Sequence, residues 1–349
     1  MFADNEMISE RQLTVQLMLS FLGPLLLVIP GQKEFGGREG IFGILLGFGA
    51  FAIYLFFLLR LAGVCRRPAK AAGRGMRAVI AFLYGGILIL SAAFLFRCMG
   101  RIGVEYLAEG GDENLLILLL LLTAAWGTGK DLQRRGRLAE ALFPILAAGF
   151  LLFFVLALFQ GESNRLMEAE ETGFAGSIRA GWIIFSVLSL GGVLPFALGR
   201  TQRQGTAGRK VLAGTGAVLL FLMASLLLLR AVFGAQGMGY KKFPMADLMA
   251  GTSLPGGFLQ RLDILWITVL LLSLLFAAGS LLFYASFVAE QFSLPGSRIP
   301  VLILTGALAL PAVTGEGLEE FYLPFLGIVG MPVLLVLTLC MGILGRRKR

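Results

Sequence analysis

Two stretches of this chain carry residue types whose spacing suits the binding of a small polar solute. In the first, Ser20 precedes Leu22-Gly23-Pro24-Leu25; in the second, Ser186 and Ser189 precede Leu190-Gly191-Gly192-Val193-Leu194-Pro195. Glycine weakens a helix and proline cannot donate to its ladder, so each run predicts a helix interrupted within an apolar segment. An interruption frees main-chain amides and carbonyls, which lipid tolerates only where they line a cavity or bind something. A half-helix N-terminus suits a carboxylate and freed carbonyls suit an ammonium group, which together describe a zwitterion. Hydroxyls inside other apolar stretches add to the set: Tyr84 and Ser91, then Thr268, Ser273, Ser280 and Tyr284. The candidate ligand-binding residues are Ser20, Gly23, Pro24, Tyr84, Ser189, Gly191, Gly192 and Ser273. Taken singly, each hydroxyl has a simpler role, a bond to its own or a neighbouring helix contributing about 1 kcal/mol.

Catalysis has little support. The 349 residues include no histidine, which removes Ser–His and Cys–His nucleophiles, imidazole haem ligation and the usual zinc motifs. Acidic residues fall almost entirely between the apolar stretches, so no intramembrane carboxylate pair offers acid–base chemistry or a proton relay. Cys65, Cys98 and Cys340 lack paired spacing and predict neither a disulfide nor a metal cluster. Gly127-Thr128-Gly129-Lys130-Asp131 lacks the spacing and the preceding strand of a phosphate loop and reads as a helix end. No catalytic residue, metal ligand or cofactor is expected.

The elements that must position these groups are membrane helices. The chain is 57% hydrophobic, with mean hydropathy +0.85, and its apolar runs reach the ~20 residues that cross a bilayer. They fall near 12–30, 40–62, 78–100, 114–129, 141–160, 178–198, 211–233, 263–290, 299–314 and 323–344. The expected fold is all-α and integral to the membrane: about ten transmembrane helices, as two five-helix inverted repeats (about 12–160 and 178–344) with helices one and six broken. The whole of 1–349 reads as one transmembrane permease-like domain. Asp4, Glu6 and Glu10 before the first apolar run are unlike a signal peptide, so that run is expected to be kept as a helix. The net charge of +9 reflects basic loops, such as Lys130 to Arg137 and Arg200 to Lys210, that alternate with acidic ones. The alternation places both termini in the cytoplasm and leaves no nucleic-acid patch. Gly43 and Gly47 suit close helix packing. Arg97 and Arg101 share a helical face near the outer boundary; snorkelling explains them best, with gating of an outer vestibule as the sharper reading. A short outer helix is expected within Met245 to Ala250, and Asp263 is read as anchoring the start of the eighth span.

Three regions resemble the endospore germination permease family, the B-type membrane subunits of nutrient germinant receptors. They are Ile8-Ser9-Glu10-Arg11-Gln12-Leu13 with Phe21-Leu22-Gly23-Pro24, then Gly136-Arg137-Leu138-Ala139-Glu140-Ala141-Leu142-Phe143-Pro144, and then Phe243-Pro244 through Gly257-Phe258-Leu259-Gln260-Arg261-Leu262-Asp263. The likeness is spread along most of the chain rather than concentrated in one motif. It implies an amino acid/polyamine permease-like fold in the spore inner membrane. It also implies assembly with an A-type membrane subunit and a C-type lipoprotein, and recognition of a small nutrient such as an amino acid. A free-standing amino-acid or cation-coupled transporter of the same fold is the alternative.

Overall fold

The structure, a computed structural model, describes residues 7–64, 74–128, 131–166, 173–201, 204–252, 262–291, 296–315 and 317–346. Among them the chain is helical, and the one β-bridge pairs Ile8 with Thr201. The connection 253–261, part of the third family-like region, lies outside the described residues, as does most of the basic segment 66–77.

The first half holds α1 (Glu10–Val28), α2 (Arg38–Val64), α3 (Arg74–Tyr106), α4 (Glu113–Gly127) and α5 (Leu132–Leu158). In the second half, α6 (Phe174–Leu188) passes through a 3-10 stretch, Ser189–Val193, into the short α7 (Leu194–Leu198). Then come α8 (Gln204–Gly239), the short and mostly buried α9 (Pro244–Gly251), α10 (Leu262–Gln291), α11 (Arg298–Ala309), α12 (Pro311–Thr314), α13 (Gly317–Phe325) and α14 (Met331–Arg346). A π-turn at Leu326–Gly330 joins the last two. Among the described residues, eight segments are long and apolar enough to cross a membrane. The other two expected spans contain shorter apolar helices, α4 and α11; the 15 residues of α4 reach about 22 Å, less than the ~30 Å of a bilayer core.

Local chemistry sets the helix ends. Ser9 and Gln12 form a reciprocal capping box that starts α1, and α4 stops at Gly127 with Thr128 as its cap, the helix end expected there. Gly234 has φ 73° inside α8. That backbone conformation is open to glycine and strained for other residues, and it kinks the helix just past the expected end of the seventh span.

The two expected interruptions fare differently. Helix six is interrupted: Ser189–Val193 winds as a 3-10 helix, in which the Leu194 amide donates to the Gly191 carbonyl. Helix one is not. It runs as one α-helix through Gly23-Pro24, because a single internal proline removes one donor and packing holds the turn. A Cβ placed on Gly23 would lie 2.8 Å from Ser273 Oγ and 3.1 Å from the Leu274 amide nitrogen. The glycine that reads as a break is the point where α1 presses against α10.

The α2–α6 seam uses the small residues as expected. A Cβ on Gly47 would sit 2.6 Å from Ile184 Cγ2 and 2.9 Å from the Gly181 carbonyl oxygen. Overpacking a close contact costs about 1–3 kcal/mol. Gly47→Leu is therefore expected to lower the thermal midpoint of the detergent-solubilised protein, measured by fluorescence-detected size exclusion after heating, and an unchanged midpoint would refute the tight seam.

Candidate functional site

The interruption in helix six faces α1 and α10 across a small hollow. Leu17, Ser20, Phe21, Pro24 and Val28 of α1 form one wall, and Ser280, Leu281 and Tyr284 of α10 form another. Val187, Leu190, Gly191 and Val193 contribute the 3-10 side; Phe94 and Leu95 of α3 and Tyr322 of α13 complete the lining. Its volume is about 40 Å³, room for roughly two or three water molecules and far below the ~300 Å³ of a ligand pocket. At this size the hollow holds no solute larger than water in the arrangement seen here.

Three of the eight sequence-derived site residues, Ser20, Pro24 and Gly191, line this hollow. The other five pack beside it. Gly23 and Ser273 meet in the α1–α10 contact, where the Ser273 hydroxyl is buried without a hydrogen-bond partner. Ser189 donates to the Ser186 carbonyl at 2.6 Å. Gly192 lies under the Tyr54 hydroxyl, which is 2.7 Å from an added Cβ. Tyr84 lies 3.2 Å from the Thr338 hydroxyl, and Tyr54 reaches the same group at 3.1 Å. Thr338 donates to the Leu334 carbonyl, so its oxygen accepts from the two tyrosines. Tyr84 therefore fastens α3 to α14 rather than facing the hollow.

Sequence reasoning named Ser20, Ser280 and Tyr284 but missed Gln16 and Arg135, which complete a polar floor. The Ser20 hydroxyl donates to the Gln16 carbonyl at 2.7 Å and lies 3.0 Å from Ser280 Oγ. Gln16 Nε2 donates to the Tyr284 hydroxyl at 3.0 Å. Behind Ser280 stands Arg135, which the sequence placed among the topology-setting loop charges. Here it is 2% exposed, and its Nη2 donates to Ser280 Oγ at 2.7 Å and to the Phe276 carbonyl. A signal was available in the pattern: Leu132, Arg135, Gly136 and Ala139 are all buried in α5, at i, i+3, i+4 and i+7, the spacing of one helical face.

Both ends of the hollow are closed. Above it, Phe94 and Tyr322 stack with centroids 4.1 Å apart and planes 15° from parallel. One turn further along each helix, the charges converge on Glu319. Arg97 approaches it at 3.6 Å and Glu113 at 3.5 Å, Arg101 bonds it at 3.1 Å, and Lys242 before α9 also pairs with it. Arg97 is 2% exposed and donates to the carbonyls of Ala309 and Gly315, so it does not snorkel; it lies inside a clasp between α3, α4 and α13. At the opposite end the Ile8 amide donates to the Arg200 carbonyl at 2.9 Å, and Gln12 Nε2 donates to Glu140 at 3.1 Å. Gly136 lies against the Gln12 side chain. The first two family-like regions of the sequence thus meet each other in space.

Comparison with known proteins places these features in a family. Residues 8–311 match the spore permease family, described as spore germination proteins. Spore germination protein YndE of Bacillus subtilis (strain 168) is 22% identical over 297 residues, covering 82% of this chain and 81% of that protein. Among solved structures, MhsT in complex with L-phenylalanine superposes with a TM-score of 0.66 at 13% identity, over 94% of this chain and 87% of that one. A Na+-coupled sialic acid symporter in a substrate-bound outward-open state gives 0.61 at 12% identity, over 96% and 76%. The nucleobase-cation-symport-1 transporter Mhp1, in a closed conformation with bromovinylhydantoin, gives 0.61 at 14% identity, over 96% and 80%. These likenesses show the fold, that of LeuT-type transporters. With its eight membrane-length helices and the match along most of its length, the chain is an integral multi-pass membrane protein and belongs to the spore permease family of spore germination proteins.

Proposed function

We propose that this protein is the membrane subunit of a nutrient germinant receptor, sensing a small nutrient of the amino-acid class and triggering spore germination. The observation that carries this reading is the closed hollow where the 3-10 stretch of helix six meets α1 and α10. Its hydroxyls and main-chain groups suit a polar head, and its leucine, valine and phenylalanine walls suit an apolar remainder. A nutrient acts as a signal only if it binds one arrangement of the helices better than another; a hollow too small for it when closed imposes that difference. The proposed setting is the spore inner membrane with both termini cytoplasmic, in one transmembrane domain that works with an A-type membrane subunit and a C-type lipoprotein. The same fold serves free-standing transporters, which remain the alternative and are separated by the first test below.

Gly191→Leu would fill the hollow, since an added Cβ already comes within 3.3 Å of Phe51 and 3.4 Å of Phe21. Spores carrying it are expected to need about tenfold or more nutrient, the equivalent of ~1.4 kcal/mol, with the subunit at its normal level in membranes. An unchanged response removes the hollow as the site. Accumulation of labelled amino acid by liposomes holding this chain alone favours the transporter.

The Glu319 clasp closes the hollow on one side, and buried Cys98 next to Arg97 reports on it. Removing one partner of a buried charge cluster costs about 3–5 kcal/mol. In a Cys65→Ser, Cys340→Ser background, Glu319→Gln should speed N-ethylmaleimide labelling of Cys98 by roughly tenfold or more. Equal rates would show that the clasp does not gate access.

A further inference from the structure

We propose that Arg135 is the specificity-determining residue that reads the carboxylate of the solute, and that the solute is a small α-amino acid with an apolar side chain. This rests on the reading of the hollow as a solute site and assigns its charged end.

The sequence suggests a half-helix N-terminus at Gly23 for that role, but α1 is continuous there and its amides are spent within the helix. Among the described residues, no lysine or arginine lines the hollow. Arg135 stands one hydroxyl away: its Nη2 and Nε lie 2.7 and 3.3 Å from Ser280 Oγ, and Ser280 is part of the lining. The guanidinium lies across α10, with its carbon 4.4 Å from the Phe276 ring centroid. Its two terminal nitrogens each come within 3.1 Å of the place a Cβ on Gly279 would take, so the helix surface is cut back where the arginine rests. Its contacts among the described residues are a hydroxyl, a carbonyl and a ring, with no carboxylate. A buried cation without a counter-charge is costly, and inside a membrane protein it marks a functional position. A solute carboxylate on the Ser280 side supplies the missing charge.

Acceptors for an ammonium group stand beside this donor. Pro24 has no amide hydrogen to give the Ser20 carbonyl four residues before it. Gln16 is 1% exposed, and its Oε1 has no hydrogen-bond partner while its Nε2 holds Tyr284. Ser20 and Ser280 are only 3.0 Å apart, so the carboxylate-facing and ammonium-facing groups are adjacent. That matches a solute bearing both charges on neighbouring atoms, and it disfavours one whose amine lies at the end of a chain. Leu17, Phe21, Leu190 and Leu281 leave only apolar contacts for the side chain.

The test measures thermal stabilisation of the full chain in lipid nanodiscs by each of the twenty amino acids. The amino acid giving the largest shift is then compared with its carboxamide and its decarboxylated amine. In the native protein both analogues should bind about tenfold or more weaker than the acid, as expected when a charge-assisted hydrogen bond is lost. Arg135→Gln should erase that preference and Arg135→Lys should keep part of it. Equal binding of acid and carboxamide by the native protein, or a preference retained in Arg135→Gln, overturns the role of Arg135 and leaves the solute site standing. Stabilisation by none of the twenty overturns the solute site itself. Should Arg135→Gln fail to fold, the native acid-to-carboxamide comparison and the lysine variant decide.

Discussion

The contact between α1 and α10 is the constraint from which the rest of the site follows. The two helices touch at Gly23 and Ser273, at Ser20 and Ser280, and at Gln16 and Tyr284. Steps of three and four residues along α1, and of seven and four in the opposite direction along α10, keep these pairs on one facing stripe. The top pair works because one member has no side chain, and the lower two work because each polar group finds another. In lipid neither condition is optional, since a polar group facing hydrocarbon has no water to satisfy it. The hollow opens beside this seam, where the 3-10 stretch of helix six draws its backbone into a tighter coil than an α-helix.

The two closures of the hollow differ in kind. On one side an aromatic pair is backed by a carboxylate shared among three cations. Several charges holding one another lose less side-chain freedom than isolated pairs, so such a cluster is stiffer than a surface salt bridge. On the other side the first described residues are tied by main-chain and amide hydrogen bonds to α5 and to the turn after α7. An ionic clasp responds to hydration and to nearby charge; a backbone tie responds to displacement of the segment that carries it.

Much of the fold is legible in the sequence because lipid enforces it. Long apolar runs gave the helices and their order, and Ser9 with Gln12 marked where the first begins. The reading of Gly23-Pro24 as a break failed for a specific reason: a glycine that loosens an isolated helix is also the residue that lets two helices meet. Only the partner, Ser273, tells the two apart, and it lies 250 positions away. The same limit hid the clasp. Glu319 reads as a loop acid beside Glu316 and Glu320, and nothing local announces that Arg97, Arg101 and Lys242 converge on it. Tyr84 was misplaced in the other direction, a buried hydroxyl near the interruption whose needs Thr338 already meets.

Arg135 shows why charge in a membrane protein has to be judged by helix face rather than by loop. Counted along the chain, it is one of four basic residues from Lys130 to Arg137, and a hydropathy window starts the span only after them. The helix nonetheless starts at Leu132, because charged residues on its outer faces do not oppose helix formation. One register position then turns inward and delivers a cation to the floor of the hollow. The same first turns of α5 carry Gln133, Gly136 and Glu140, which hold Met7 and Gln12. Any shift of Arg135 away from Ser280 therefore acts on the helix that also holds Met7 and Gln12.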